Sequence, residues 1–178
     1  MRIIGGAFKG RRFYPPADKW PTRPTTDFAK EGLFNILENR MDFSVSVCLD
    51  LFGGTGNHSF ELISRGAARV TYVDKFRPAV TFVHQLAREL EITDRIQIVL
   101  GDVSRFLTHK SGEFDYIFAG PPYPLPWISE IPDLIFDHGW LKEGGIFVLE
   151  TNPNHRFDQH PRFKELRTYG KTHFSFFG

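Results

Sequence analysis

Val45-Ser46-Val47-Cys48-Leu49-Asp50-Leu51-Phe52-Gly53-Gly54-Thr55-Gly56-Asn57 is the stretch on which the fold turns. An apolar run from Val45 to Phe52 stops in a cluster of three glycines, Gly53, Gly54 and Gly56, and a helix-like segment follows. The pattern is that of a buried strand, a tight turn and a helix N-terminus. Glycine is needed in such a turn where the backbone takes positive φ or comes within contact distance of a ligand. The stretch therefore predicts a cofactor site at the carboxyl end of a strand, with Asp50 beside it. It leaves the cofactor open, because Gly-Gly-Thr-Gly does not complete the dinucleotide fingerprint G-x-G-x-x-G: Ser59 stands where the third glycine belongs.

Downstream of this stretch, strands and helices alternate, as in an α/β domain. The spacing predicts a helix over about His58 to Arg65, closed by Gly66, and a strand over Arg69 to Asp74. A helix is expected from about Pro78 to Leu90, with Val80, Val83, Leu86, Ala87 and Leu90 on its apolar face. Strands follow at Ile96–Leu100 and Phe114–Ala119, separated by a short helix near 103–107. Gly120-Pro121-Pro122-Tyr123-Pro124 then interrupts any regular element. A helix over about Ile128–His138 and a strand over Gly145–Glu150 are predicted next, and Phe163–Tyr169 and Thr172–Phe177 close the chain as an antiparallel hairpin about Gly170-Lys171.

Upstream, Ile3 to Phe13 interleaves apolar and basic residues around glycines and predicts a short β-hairpin. Pro15, Pro16, Pro21 and Pro24 make an extended linker that cannot be helical. One of Thr25, Thr26 and Asp27 is expected to cap a helix over about Asp27–Arg40 that buries Phe28, Leu33, Phe34, Ile36 and Leu37. The chain divides on this reading into a basic arm, residues 1–24, and a cofactor-binding domain, residues 25–178.

With 178 residues, 41% of them hydrophobic and 24% charged, the chain can bury a substantial core. Its single cysteine, Cys48, rules out an internal disulfide and a cysteine-rich zinc site. The seven histidines are scattered without ligand spacing, so no metal is assigned. No run reaches the ~18 apolar residues of a membrane span, and the N-terminus lacks a signal-peptide pattern, which predicts a cytoplasmic protein; a monomer is expected. The net charge of +1 is uninformative, but its distribution is not. Arg2, Lys9, Arg11, Arg12, Lys19 and Arg23 face only Asp18 within the first 26 residues, a local attraction for phosphate on a domain that is otherwise slightly acidic.

Four strand ends carry chemistry, and in an open α/β sheet ligands bind at those ends. Asp50 leads into the glycine loop. Asp74, ending the second strand, is placed to accept hydrogen bonds from ribose hydroxyls, in a nicotinamide enzyme or a methyltransferase alike. Gly101-Asp102 suits an adenine amino group, with the Val103 N–H available to the ring; capping of the next short helix is its ordinary alternative. At Pro121-Pro122-Tyr123 two prolines fix the backbone and hold its carbonyls rigidly beside a flat aromatic face. A planar amino group could donate to the carbonyls while its ring stacks on the tyrosine, as when a base is flipped out of its stack.

Taken together, the Asp50–Gly56 loop, Asp74, Asp102 and Pro-Pro-Tyr resemble an S-adenosylmethionine-dependent methyltransferase acting on an amino group. Arg2-Ile3-Ile4-Gly5-Gly6, Lys9-Gly10-Arg11, Arg23-Pro24-Thr25-Thr26-Asp27, Glu31 with Leu33-Phe34-Asn35, and Ser64-Arg65-Gly66-Ala67 narrow this to the bacterial RsmD family, whose members methylate the exocyclic N2 of a guanine in 16S ribosomal RNA. The resemblance implies a Rossmann-like class I fold, with a seven-stranded, mostly parallel sheet and the N-terminal hairpin as an extension. It implies S-adenosylmethionine as cofactor and 16S rRNA or a small-subunit particle as partner. Asp50 and the glycines would line the methionine end, Asp74 the ribose and Asp102 the adenine, with Arg23 and Thr25 near the active site. The candidate cofactor set is thus Arg23, Thr25, Asp50, Phe52, Gly53, Gly54, Thr55, Gly56, Asp74, Lys75, Phe76, Asp102 and Val103. Gly120, Pro121, Pro122 and Tyr123 are the catalytic candidates, and Lys9, Arg11 and Arg12 the RNA-binding ones.

At one position the chain departs from the family pattern. Asp or Asn normally precedes Pro-Pro and accepts a hydrogen bond from the target amine; here the residue is Gly120. Losing one preorganised acceptor costs about 10²-fold or more in rate. Asp115, at the far end of its strand, is not placed to replace it. A weakened RNA-binding or ribosome-assembly protein with the same fold is therefore one alternative, and an adenine-N6 DNA methyltransferase another. A nicotinamide oxidoreductase leaves Pro-Pro-Tyr without a purpose.

Overall fold

The computed structural model describes residues 1–21, 23–109 and 112–178. A seven-stranded sheet runs through it in the order β3-β2-β1-β4-β5-β7-β6. The strands are β1 (Val47–Leu51), β2 (Arg69–Asp74), β3 (Ile96–Leu100), β4 (Phe114–Ala119), β5 (Leu141–Thr151), β6 (Phe163–Tyr169) and β7 (Thr172–Phe177). The first five pair in parallel; β7 joins β5 and β6 antiparallel. The order reverses between β1 and β4, which places the switch point directly after Leu51 and Ala119.

Alternate side chains of each strand serve opposite faces. Cys48, Tyr72, Tyr116, Phe118, Val148, Phe174 and Phe176 pack with α1 (Asp27–Glu38), α2 (Asn57–Ser64) and α3 (Arg77–Glu89). Leu49, Leu51, Val73, Ile117, Phe147, Leu149 and Phe177 pack with α4 (Val103–Thr108) and α5 (Ile131–Asp137). The central strands are apolar on both sides for this reason. Trp140 is sealed in the second layer and donates its Nε1–H to the Leu107 carbonyl at 2.9 Å. Cys48 is buried, and desolvation holds its thiol far above the ordinary range, so it remains an unreactive core group.

Every expected strand and helix of the main sheet is present, with shifted ends. The first turn of the 128–138 segment is a 3₁₀ helix, Ile128–Glu130, and α5 begins only at Ile131. Strand β5 starts earlier than expected, at Leu141, because its pairing to β4 jumps register: Phe114 faces Leu141 but Tyr116 faces Ile146. Thr26 caps α1 by accepting from the Ala29 N–H at 3.2 Å. The buried face of α1 needs one correction. Phe28 is 68% exposed, edge-on to Tyr169, and the inward positions are Ala29, Lys30, Leu33, Phe34 and Leu37. Helix rotation set by capping at Thr26 carries Lys30, not Phe28, to the inside.

The N-terminal hairpin closes with a single antiparallel bridge, Arg2 to Arg12. Around it the Ile3 N–H donates to the Arg11 carbonyl (3.0 Å), Gly10 N–H to the Ile3 carbonyl (2.8 Å) and Phe13 N–H to the Met1 carbonyl (2.8 Å), but the ladder goes no further because the next donors are used elsewhere. The Ile4 and Gly5 N–H groups donate to the Glu61 carboxylate (3.0 Å each at the shorter contacts), Phe8 N–H to Ser64 Oγ (2.9 Å) and Ala7 N–H to the Ser64 carbonyl (2.7 Å). Ile3 is fully buried in the main core. The basic arm is thereby riveted to α1 and α2.

Candidate active site

A cleft of about 580 Å³ opens at the carboxyl ends of the parallel strands, within the size range of small-molecule sites. Its floor is the switch point. Gly53 needs to be glycine for space: its N–H donates to the Val73 carbonyl at 3.1 Å, and a Cβ there would collide with the buried Tyr72 ring. Gly56 has φ +80° and begins α2, where a side chain would also strike Phe60. Phe52 takes the left-handed conformation without being glycine, φ 60°, and lies against Trp127. Such strain, about 1–3 kcal/mol, persists where surroundings over-determine it, as in ligand-binding turns.

The acidic strand ends are held differently from one another. Asp50 is buried and accepts from Ser59 twice, Oγ at 2.6 Å and N–H at 3.1 Å. Desolvation, opposed by these bonds, pushes its carboxyl up to about 7. Asp74 accepts from the Gly54 N–H (2.9 Å) with one oxygen and the Phe76 N–H (2.8 Å) with the other, which ties the glycine turn to β2. Asp102 caps α4: Oδ1 accepts from the Arg105 N–H at 3.2 Å and from Ser104 Oγ, and these bonds lower its pKa. The capping role does not consume the carboxylate, since both bonds use the same oxygen.

On the other wall, Gly120 donates its N–H to the Leu51 carbonyl at 3.2 Å, which docks the Pro-Pro segment on β1. The Pro122 carbonyl accepts from the Leu125 N–H (3.0 Å); no hydrogen bond to the Gly120 or Pro121 carbonyl is made among the described residues. The Arg23 guanidinium sits over the Tyr123 ring, 4.7 Å from its centre. Burial raises the Tyr123 hydroxyl pKa, so it stays protonated.

Of the candidates read from sequence, Arg23, Thr25, Asp50, Phe52, Gly53, Gly54, Thr55, Asp74, Lys75, Phe76, Asp102, Val103 and Gly120–Tyr123 all line this one cleft. Gly56 lies just behind it as the α2 cap. Lys9, Arg11 and Arg12 do not line it: they are exposed on the arm, with Arg11 over the Phe8 ring at 5.2 Å.

Among the cleft residues that were not singled out beforehand, His58, Trp127 and Glu150 bear on the chemistry. His58 is stacked on Phe118 (3.7 Å between centroids) and bonded to Tyr116 Oη (2.9 Å); burial keeps it neutral. Trp127 forms part of the outer wall. Glu150, near the end of β5, accepts a 2.5 Å bond from Thr25 Oγ1, and burial raises its pKa to about 7. An acidic residue near the end of the fifth parallel strand is the same signal that marked Asp50 and Asp74, and it was available in the sequence.

This set fits S-adenosylmethionine. Acceptors at the ends of β2 and β3 face the cleft for hydroxyl and amino hydrogens, and the Val103 N–H is beside them. Phe52, Phe76 and Val103 supply apolar surface, and carboxylates near the glycine turn suit an ammonium. Among the described residues, no group of three His, Cys, Asp or Glu side chains could hold a metal ion, and no helix is long and apolar enough to cross a membrane.

Comparison with known proteins agrees with this geometry. The ribosomal RNA small subunit methyltransferase D of Escherichia coli is 33% identical over 153 residues, spanning 85% of this chain and 74% of that one. The solved structure of the Escherichia coli yhhF protein superposes with a TM-score of 0.86 at 26% identity, covering 99% of this chain and 96% of that one. The fold, though little sequence, is shared with the Thermus thermophilus 16S rRNA N2 G1207 methyltransferase solved with AdoMet and guanosine: TM-score 0.68, 20% identity, 86% of this chain and 43% of that one. A family model described as conserved hypothetical protein 95 matches residues 1–178, and the chain belongs to that family, the RsmD family.

Proposed function

We propose that this chain transfers a methyl group from S-adenosylmethionine to the exocyclic N2 of a guanine in 16S ribosomal RNA. The observation that carries the reading is the convergence of the acidic strand ends Asp50, Asp74 and Asp102 with Gly120–Tyr123 in one cleft at the switch point. The cofactor is S-adenosylmethionine, which supplies an activated methyl group whose bonding electrons stay with sulfur when it leaves. The likeness to small-subunit rRNA methyltransferase D supports RNA as the substrate.

Asp74, clamped by two backbone N–H groups, presents its carboxylate in a fixed direction for ribose hydroxyls. Asp102 keeps its second oxygen for an amino group. Pro121 and Pro122 hold the target base in the plane that the Gly120 and Pro121 carbonyls define, and Tyr123 stacks on it once Arg23 yields the ring or shares it. Rate enhancement of this kind rests on alignment of the reacting atoms about 3–3.5 Å apart and on exclusion of water, not on covalent catalysis. Lys9, Arg11 and Arg12, exposed on the arm, would meet phosphates on either side of the extruded base and position it without reading sequence.

The decisive experiment is incubation of the purified chain with S-adenosylmethionine and unmodified small-subunit rRNA, free and in particles, followed by mapping of any added methyl group by mass spectrometry. One methylated guanine is expected. Methylation of adenine in DNA instead would replace this reading. Tyr123→Ala is expected to lower kcat/KM by about 5- to 150-fold, the equivalent of losing ~1–3 kcal/mol of base stacking, while leaving cofactor affinity unchanged in a calorimetric titration. A loss of cofactor affinity of the same size would show that Tyr123 serves the cofactor.

A further inference from the structure

Gly120 raises the question of what accepts the hydrogen of the target amine, and the structure holds a candidate on the neighbouring strand. A Cβ built on Gly120 would lie 3.6 Å from Glu150 Oε2 and 3.2 Å from the Phe118 ring. The Glu150 carboxylate therefore borders the space that a side chain at position 120 would enter, in ordinary van der Waals contact with its Cβ. Gly120 has no positive φ that would demand glycine. What the missing side chain does is leave Glu150 uncovered.

We propose that Glu150 is a catalytic residue of this chain: its Oε1 accepts the N2–H of the flipped guanine and takes the proton that N2 releases on gaining the methyl group, in place of a side chain at position 120. This rests on the function proposed above and names the group that completes it. Thr25 Oγ1 donates to Oε2 and fixes the carboxylate. Oε1 has no hydrogen-bond partner among the described residues and is not among the buried side-chain atoms sealed off without one. It opens into the cleft that also holds Gly120 and Tyr123.

The chemistry also separates guanine from adenine. The Watson–Crick edge of guanine offers N1–H and N2–H side by side, two donors for one carboxylate. Adenine offers a donor at N6 but an acceptor at N1, which would face a carboxylate oxygen unpaired. Sites whose polar groups are left unpaired by the wrong substrate reject it strongly. Glu150 thus both positions the amine and favours guanine.

The role requires the ionised form. Desolvation is the main cause raising the Glu150 pKa to about 7, and Thr25 and the Arg23 charge oppose it. Asp50 and Tyr123 share the cleft with it, and Tyr116, buried in the core on β4, also feels its charge; Asp50 titrates in the same range, whereas both phenols have raised pKa values and remain neutral. Neutral His58 contributes no charge nearby. The single-turnover rate at saturating cofactor should rise with pH through about 7 and level off above it.

The test uses the full chain with S-adenosylmethionine and the rRNA substrate, comparing wild type, Glu150→Gln and Gly120→Asp. Glu150→Gln preserves an acceptor for Thr25. It is expected to lower the single-turnover rate by about 10²-fold, to remove the Glu150 contribution to the rise near pH 7, and to leave cofactor affinity and thermal midpoint unchanged. It should also narrow the difference in equilibrium affinity between rRNA fragments with guanine and those with inosine at the mapped position, a binding readout because inosine has no 2-amino group to methylate. In the Glu150→Gln background, Gly120→Asp should recover rate; alone it should not raise the rate, because it sets a second carboxylate beside Glu150. An active Glu150→Gln with an unchanged pH profile overturns the inference while the function stands. So does a Gly120→Asp single variant about 10²-fold faster than wild type, a readout that does not depend on how Glu150→Gln folds. A wild-type chain that binds the cofactor yet methylates no guanine overturns the function itself, and Glu150 with it.

Discussion

Replacing Glu61 by alanine is expected to lower the stability of this protein by about 3–5 kcal/mol, the usual penalty for stranding a buried charge. Glu61 is fully buried on α2 and gathers four partners: the Ile4 and Gly5 N–H groups, Arg65 at 3.0 Å and Lys30 at 3.5 Å. Lys30 is itself 1% exposed and donates to the Arg2 carbonyl (2.6 Å) and Asn57 Oδ1 (2.8 Å). Desolvation already lowers the Lys30 pKa, with Glu61 the largest opposing influence. Without that carboxylate the ammonium keeps dipoles but loses its counter-charge. Domains of 150–250 residues shift by about 2–4 °C per kcal/mol, so a fall in Tm of roughly 6–20 °C is expected by calorimetry. Proteolysis should then cut within residues 1–13, which Glu61 holds down. The deficit should shrink as pH is raised toward the ordinary lysine range. A folded-state pKa depressed below the unfolded value makes the unfolded chain bind more protons, so stability rises with pH there. A Tm within about 3 °C of wild type would show that Arg65 and the backbone hold the arm without Glu61.

Asp74→Ala should act on the cofactor with comparable size. The Asp74 carboxylate accepts from the Gly54 and Phe76 N–H groups, and hydrogen bonds to charged groups contribute ~1.5–3 kcal/mol each. Its removal frees the glycine turn from β2 and deletes the proposed ribose acceptor. An S-adenosylmethionine dissociation constant raised by about 10²-fold, near 3 kcal/mol, is the expected outcome of a calorimetric titration. Asp74→Asn, which keeps one acceptor but presents an amide to one backbone donor, should fall between. Unchanged affinity in the alanine variant would place the ribose elsewhere in the cleft. Asp74 is half-buried at the end of β2, so the global fold should tolerate either change better than it tolerates Glu61→Ala.

The two predictions differ in how they could be reached. Asp74 is legible in the sequence because a β-branched strand that ends in an acidic residue, some 20 positions after a glycine turn, has few other uses. The same logic located Asp50 and Asp102 and, through rigid backbone chemistry, Pro121-Pro122-Tyr123. Lys30 and Glu61 were not legible as partners. Each sits on an amphipathic helix at a position that reads as solvent-facing, and only the packing of α1 on α2 under the N-terminal arm encloses both. Phe28 was misplaced for the converse reason: a large apolar residue in the first turn of α1 points outward once Thr26 sets the start of the helix.

By itself, then, the sequence determined the alternation of strands and helices, the glycine turn and the acidic strand ends, because periodicity and backbone freedom are local properties. The tertiary structure alone decided that the Ile4, Gly5, Ala7 and Phe8 N–H groups are satisfied on α2, while those of Ile3, Gly10 and Phe13 bond across the hairpin. It also decided that a glutamate 30 residues beyond Gly120 lies 3.6 Å from where that glycine's Cβ would have been. Both depend on register between elements distant in the chain, which no local pattern encodes.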